Sequence, residues 1–141
     1  MGLDRAFAIA AAGLAAQRTR METVASNLVN VRTTRTAEGG PYRRLSPVFQ
    51  AERIGAAGQG DFGDALRSVA VERVVADDSE PLRVFEPGHP DADETGYVSY
   101  PSIDLGSEMV DMLSATRSYE ANVTLVRSVR DMVRTTLEIL G

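Results

Sequence analysis

Histidine, serine, cysteine, lysine and clustered carboxylates carry most enzymatic chemistry, and this chain arranges few of them usefully. His89 is the sole histidine and sits between Gly88 and Pro90 in the turn-forming run Glu86-Pro87-Gly88-His89-Pro90. Every serine would depend on that one base, and no serine stands in a nucleophile elbow. Cysteine is absent, which removes thiol nucleophiles, disulfides and cysteine metal sites. All 15 basic residues are arginine. The lysines of Walker loops, kinase strands and Schiff bases are therefore missing as well.

Two motifs imitate known sites. Gly58-Gln59-Gly60-Asp61-Phe62-Gly63 matches the GxGxxG pattern and contains a DFG triplet. A dinucleotide fingerprint needs a strand before it and a helix after it, and a kinase needs its lysine and a longer chain, so a flexible loop is expected. Asp91, Asp93, Thr95 and Gly96 imitate the first half of a calcium loop, but Ser102 occupies the position of the closing bidentate glutamate. A turn whose aspartates bond their own backbone is the expectation there. The residues thus point to no catalytic group, no metal and no cofactor. The competing reading is a small enzyme or ligand-binding domain with its site in the loops between Gly55 and Gly96.

The elements that would position any site come from a chain of 141 residues, about one domain. A net charge of -5 opposes nucleic-acid binding, which draws on Lys and Arg at phosphates. The charge is uneven: residues 1–57 hold eight arginines against four acids, and residues 58–116 three against thirteen. Trp is absent and aromatics make up 6%, so the interior must be built from aliphatic side chains. The apolar run Ala6 to Ala16 lacks the basic flank of a cleaved signal, and its periodicity continues to Leu28. No stretch reaches the roughly eighteen apolar residues of a membrane span, so no membrane insertion is expected.

Both ends carry heptads. Phe7, Leu14, Met21 and Leu28 share one phase, with Leu3, Ala10, Val24 and Val31 on the other and Gln17 as the break. Leu105, Met112, Tyr119, Val126, Val133 and Leu140 repeat the pattern, with Met109, Thr116, Val123 and Leu137 beside them and Arg130 as the exception. A stripe at period 3.5 is a coiled-coil seam, so each end predicts a long helix that needs a helical partner. Pro101 upstream and the acids Asp104, Glu108 and Asp111 mark the start of the second helix. Leu113, Leu125, Val129 and Met132 make its apolar face broader than one partner requires.

Between the helices the period changes. Tyr42 to Arg53, Ser68 to Ala76, Leu82 to Glu86 and Tyr97 to Tyr100 read as strands separated by glycine and proline. The expected fold is α+β: two long terminal helices forming a discontinuous coiled-coil-like domain around a small β-rich insertion. Residues 1–36 would be the N-terminal helix and following loop, 37–101 the insertion, and 102–141 the C-terminal helix. Asn27 and Asn30 are odd at the end of an apolar seam and suit a helix terminus.

The ends resemble a known family. Ala25-Ser26-Asn27-Leu28-Val29-Asn30-Val31 resembles the box near the N-terminus of flagellar rod and hook proteins. Tyr42, Glu86-Pro87-Gly88-His89-Pro90-Asp91-Ala92-Asp93, Gly96-Tyr97-Val98, Glu108-Met109-Val110-Asp111-Met112 and Arg117-Ser118-Tyr119-Glu120-Ala121-Asn122 are similar to the proximal rod proteins of the basal body. The resemblance implies a structural subunit that is not an enzyme and self-associates in a helical rod through its terminal helices to transmit torque. It also implies other rod subunits and the adapter to the membrane ring as partners, a periplasmic location, and flagellar export without a cleaved signal. Leu14, Met21, Asn27, Leu28, Asn30, Met112, Tyr119, Asn122, Val126 and Val133 are the expected assembly contacts.

Overall fold

The computed structural model describes residues 2–53 and 66–140. Helix α1 spans Gly2–Val29, strands β1 to β4 span Leu45–Arg53, Arg67–Ala76, Leu82–Phe85 and Tyr97–Tyr100, and helix α2 spans Leu105–Leu140. The glycine motif at 58–63 lies outside the described residues. β1 and β2 pair antiparallel from Leu45 opposite Ala76 to Arg53 opposite Arg67, with a bulge between Val48 and Phe49. β3 and β4 form a second antiparallel pair, Leu82 opposite Tyr100 and Phe85 opposite Tyr97. The first pair packs against α1, and α1 packs against α2.

Asp104 begins α2 as an N-cap. Its Oδ2 accepts the Ser107 N–H at 3.0 Å and the Ser107 hydroxyl, satisfying one of the donors that a helix start leaves free. The bond from the Ser107 hydroxyl holds the Asp104 carboxyl below its ordinary range.

The helices run antiparallel: a Cβ built on Gly13 would lie 2.9 Å from Asn122 Nδ2, the Thr116 hydroxyl lies 3.6 Å from Met21 Sδ, and Asn27 meets Glu108. With Gly13 level with Asn122, the last turns of α2 run past the start of α1. Leu137 and Ile139 in that overhang are 66% and 78% exposed.

The seam follows the heptad expectation only in part: Ala10 and Val24 of the second phase are buried, whereas the first phase is not. The buried positions of α1 are Ala10, Gly13, Ala16, Thr23, Val24 and Asn27, while Phe7, Leu14, Met21 and Leu28 are half-buried. On α2 the buried line is Glu108, Ala115 and Val129, whereas Met109 and Leu137 of the expected second phase are exposed. Small residues at the contact let two backbones approach closely, so the large side chains flank the line of contact. The four described strands match the expected runs to within a few residues, the first starting at Leu45, where its pairing with β2 ends opposite Ala76.

Gly96 adopts φ +80° at the end of the β3–β4 turn, and a Cβ there would meet Phe85 Cε2 at 2.9 Å. A left-handed residue with a side chain costs about 1–2 kcal/mol before any clash. Gly96→Ala is expected to destabilise the chain by at least that amount in urea unfolding. Gly88→Ala, where a Cβ meets nothing within 4 Å, should stay within about 0.5 kcal/mol of the parent.

Candidate functional site

The most constrained cluster lies where the C-terminal end of α1, the start of β1 and the first turn of α2 meet. Asn27 is 0% exposed. Its Nδ2 donates to the Leu45 carbonyl at 2.9 Å and to Glu108 Oε2 at 3.0 Å. Its Oδ1 accepts the Leu45 N–H at 2.8 Å and the Tyr42 hydroxyl at 3.1 Å. Both donors and both acceptor positions of the amide are filled. Toward Leu45 the side chain acts as a neighbouring strand would, taking both the N–H and the C=O of one residue.

Glu108 is 1% exposed and is compensated from two sides. The Arg44 Nε donates to its Oε1 at 2.6 Å while Asn27 holds Oε2, and Arg44 also donates to the Ser46 hydroxyl at 2.6 Å. The Ser26 hydroxyl stands 3.0 Å from the Tyr42 hydroxyl and completes the chain of bonds. A second ion pair, Arg20 with Asp111, joins the helices higher up. The arrangement offers no nucleophile beside a base; it is a device for holding three segments together.

Of the expected assembly residues, Asn27 lies in this cluster. Asn30 ends α1, donating to the Ser26 carbonyl at 2.9 Å and accepting the Thr33 hydroxyl at 3.0 Å. Leu14, Met21, Leu28, Met112, Tyr119, Val126 and Val133 flank the helix contact and are half-buried, as is Asn122 against Gly13. Arg44, Ser46 and Glu108 were not singled out for the site from the sequence. The available signal was an acid at 108, one heptad before Ala115 and three before Val129, on the face that packs against α1.

The acidic turn bonds both to itself and to neighbouring segments, with Asp93 Oδ2 accepting from Arg83 of β3. Asp93 Oδ1 accepts the N–H groups of Thr95 and Tyr97 at 2.9 Å each and the Thr95 hydroxyl at 2.6 Å. Asp91 is turned elsewhere, accepting the Thr34 hydroxyl at 2.7 Å. His89 Nδ1 accepts the Asp91 N–H at 3.0 Å. The turn reading of this stretch therefore holds for Asp93. Among the described residues no group of three metal-ligating side chains converges.

The family described as flagellar basal body rod FlgEFG protein C-terminal matches residues 94–139, a span that contains α2 up to its last turn and the junction glutamate. The flagellar basal-body rod protein FlgC of Borreliella burgdorferi is 39% identical, with 99% of each chain covered. That of Bacillus subtilis is 41% identical over 93% of each chain. That of Salmonella typhimurium is 40% identical, covering 99% of this chain and 98% of its own. The chain belongs to the FlgC family of flagellar basal-body rod proteins. The FlgC relatives span both helices and the strands between them, so the buried junction lies within the region of likeness.

Two outcomes follow. Asn27→Ala would leave the Leu45 backbone pair, the Tyr42 hydroxyl and Glu108 Oε2 short of partners, and a destabilisation of about 3 kcal/mol is expected in chemical unfolding. The Asp93 carboxyl, held down to about 2 chiefly by the Thr95 hydroxyl, has a folded value below its unfolded one. Its contribution is present above the ordinary aspartate range and is lost as pH falls through about 2. The Thr95 and Tyr97 amide resonances should accordingly shift with a midpoint near pH 2, with no step near 4.

Proposed function

We propose that the chain is a structural subunit of the proximal rod of the bacterial flagellar basal body, working by geometry alone, without catalysis or cofactor. The observation that carries this reading is the apolar surface α2 leaves uncovered after α1 has packed. Leu105, Met109, Val110 and Leu113 are 50–69% exposed near its start, and Leu137 and Ile139 protrude in the overhang. Contiguous apolar surface on a small chain marks a place where another protein sits.

In this reading the terminal helices pair within a subunit and their outer rows pack against neighbours in a helical lattice that does not close on itself. The half-buried flanking residues Leu14, Met21, Leu28, Met112, Tyr119, Val126 and Val133 would be shared between the internal seam and the neighbours, with Asn30 and Asn122 at the joints. Asn27 would serve those joints from inside, by fixing the helix ends. Partners are further copies, other rod subunits and the adapter to the membrane ring, in the periplasm, after export through the flagellar secretion apparatus. No described helix is long and apolar enough to cross a membrane. The lattice would transmit torque as a stiff shaft.

Val126→Asp would strike the internal seam and the outer contact together, because Val126 is half-buried. Leu113→Glu separates them, since Leu113 is 53% exposed on the isolated subunit. It should change unfolding free energy by no more than about 0.5 kcal/mol, yet abolish swimming when it replaces the native chain in motile cells. Normal soft-agar spreading by that strain would overturn the reading.

A further inference from the structure

We infer that the Asn27–Glu108–Arg44 junction is a register lock: it favours the observed alignment of α1 on α2 over a slip by one heptad in either direction, because a slip parts the buried Asn27 amide from the buried Glu108 carboxylate. The remainder of the helix contact discriminates poorly. Its buried positions are mostly small, with Ala10, Gly13 and Ala16 on α1 and Ala115 on α2, and small residues present shallow, similar steps along a helix.

Sliding α2 by seven residues preserves most of what the contact offers. In one direction Gly13 would come beside Val129 and Met21 beside Val123, although Arg20 would exchange Asp111 for Ser118 and lose its ion pair. In the other, Gly13 would come beside Ala115, Met21 beside Met109, and Arg20 would exchange Asp111 for Asp104. That second slip keeps an ion pair and an apolar pair, so neither rejects it. What rejects it is Asn27, which would lose Glu108 and come level with Pro101. In the first slip Asn27 would face Ala115, and the Glu108 carboxylate would lose its amide.

Arg44 reinforces the choice from outside the helices. It is anchored at the entry to β1, beside Leu45, which Asn27 holds by both backbone groups. The lock therefore reads two coordinates together, the alignment of α2 on α1 and the docking of β1 on both. A single buried polar residue fixing register in a helical interface is the best-attested role for such groups, and a buried ion pair often adds no net stability over an apolar replacement. The inference does not depend on assembly into a rod.

Because the chain has no cysteine, its register can be read by disulfide trapping in the full-length protein. Gly13→Cys with Asn122→Cys reports the native alignment, since a Cβ at 13 lies 3.1 Å from Asn122 Cγ. Gly13→Cys with Ala115→Cys, and Gly13→Cys with Val129→Cys, report the two slips. In the parent only the first pair should cross-link on oxidation. In the lock-free background Asn27→Leu, Arg44→Met, Glu108→Leu, the helical circular dichroism should persist and at least one slipped pair should cross-link to an extent comparable with the native pair. The inference is overturned if the lock-free chain cross-links only between 13 and 122, if it loses its helical signal, or if the slipped pairs form equally in the parent.

Discussion

A buried primary amide must find four hydrogen-bonding partners or destabilise the fold that buries it, and in this chain the amide of Asn27 finds all four at one point. Two belong to the backbone of Leu45, one to Tyr42 and one to Glu108. These residues come from the loop entering β1, the start of β1 and the first turn of α2, so one side chain ties together segments up to 81 positions apart. Where β1 starts, where α2 sits and how the chain leaves α1 are all conditions of that one satisfied amide. Glu108 is then tolerable in the interior because Arg44 neutralises it from the less buried side.

The second constraint is the closeness of the helices. Gly13 lets α1 approach until its backbone meets the Asn122 amide, and Ala10, Ala16 and Ala115 continue the thin line. A contact made of such residues buries little apolar area per turn, so it contributes little by the usual measure of about 25 cal/mol per Å2. Closeness also pushes large side chains off the line. Leu105, Met109, Val110 and Leu113 of α2 end up on its outer rows, which explains in one step why the fully buried core among the described residues is small and the exposed apolar surface is large.

The same geometry decides what could be read in the sequence. Period and punctuation were enough for both helices and all four described strands, because heptads and glycine–proline breaks are local signals. The seam was legible only in part: Ala10 and Val24 stand on one expected phase and are buried, but Phe7, Leu14, Met21 and Leu28 outweigh Gly13 and Ala16 on any hydrophobic count, although closeness favours the small ones. Glu108 looked like a first-turn acid favoured by the helix dipole, which is also true of it, and nothing local shows that an asparagine far upstream will take its second oxygen. Asn27 itself was legible as anomalous, being a poor helix residue in an apolar stripe. Its partners were not, since they follow from tertiary approach.

The division of labour between small inner and large outer residues also bears on how a rod could be built. A subunit whose own core is thin gains stability when neighbours cover its outer rows, because anything that binds only the folded form shifts folding toward it by mass action. Ordering of the helix ends and joining the lattice would then be two views of one equilibrium. For such coupling to give a regular shaft, the helices must not exchange alignment while their apolar rows wait for partners, since a subunit slipped by one heptad would present those rows about 10 Å out of place. Hydrophobic contact alone cannot supply that exactness, being non-directional. Hydrogen bonds can, which is why the polar junction sits at the root of the helix pair, where a fixed alignment sets the position of every turn beyond it.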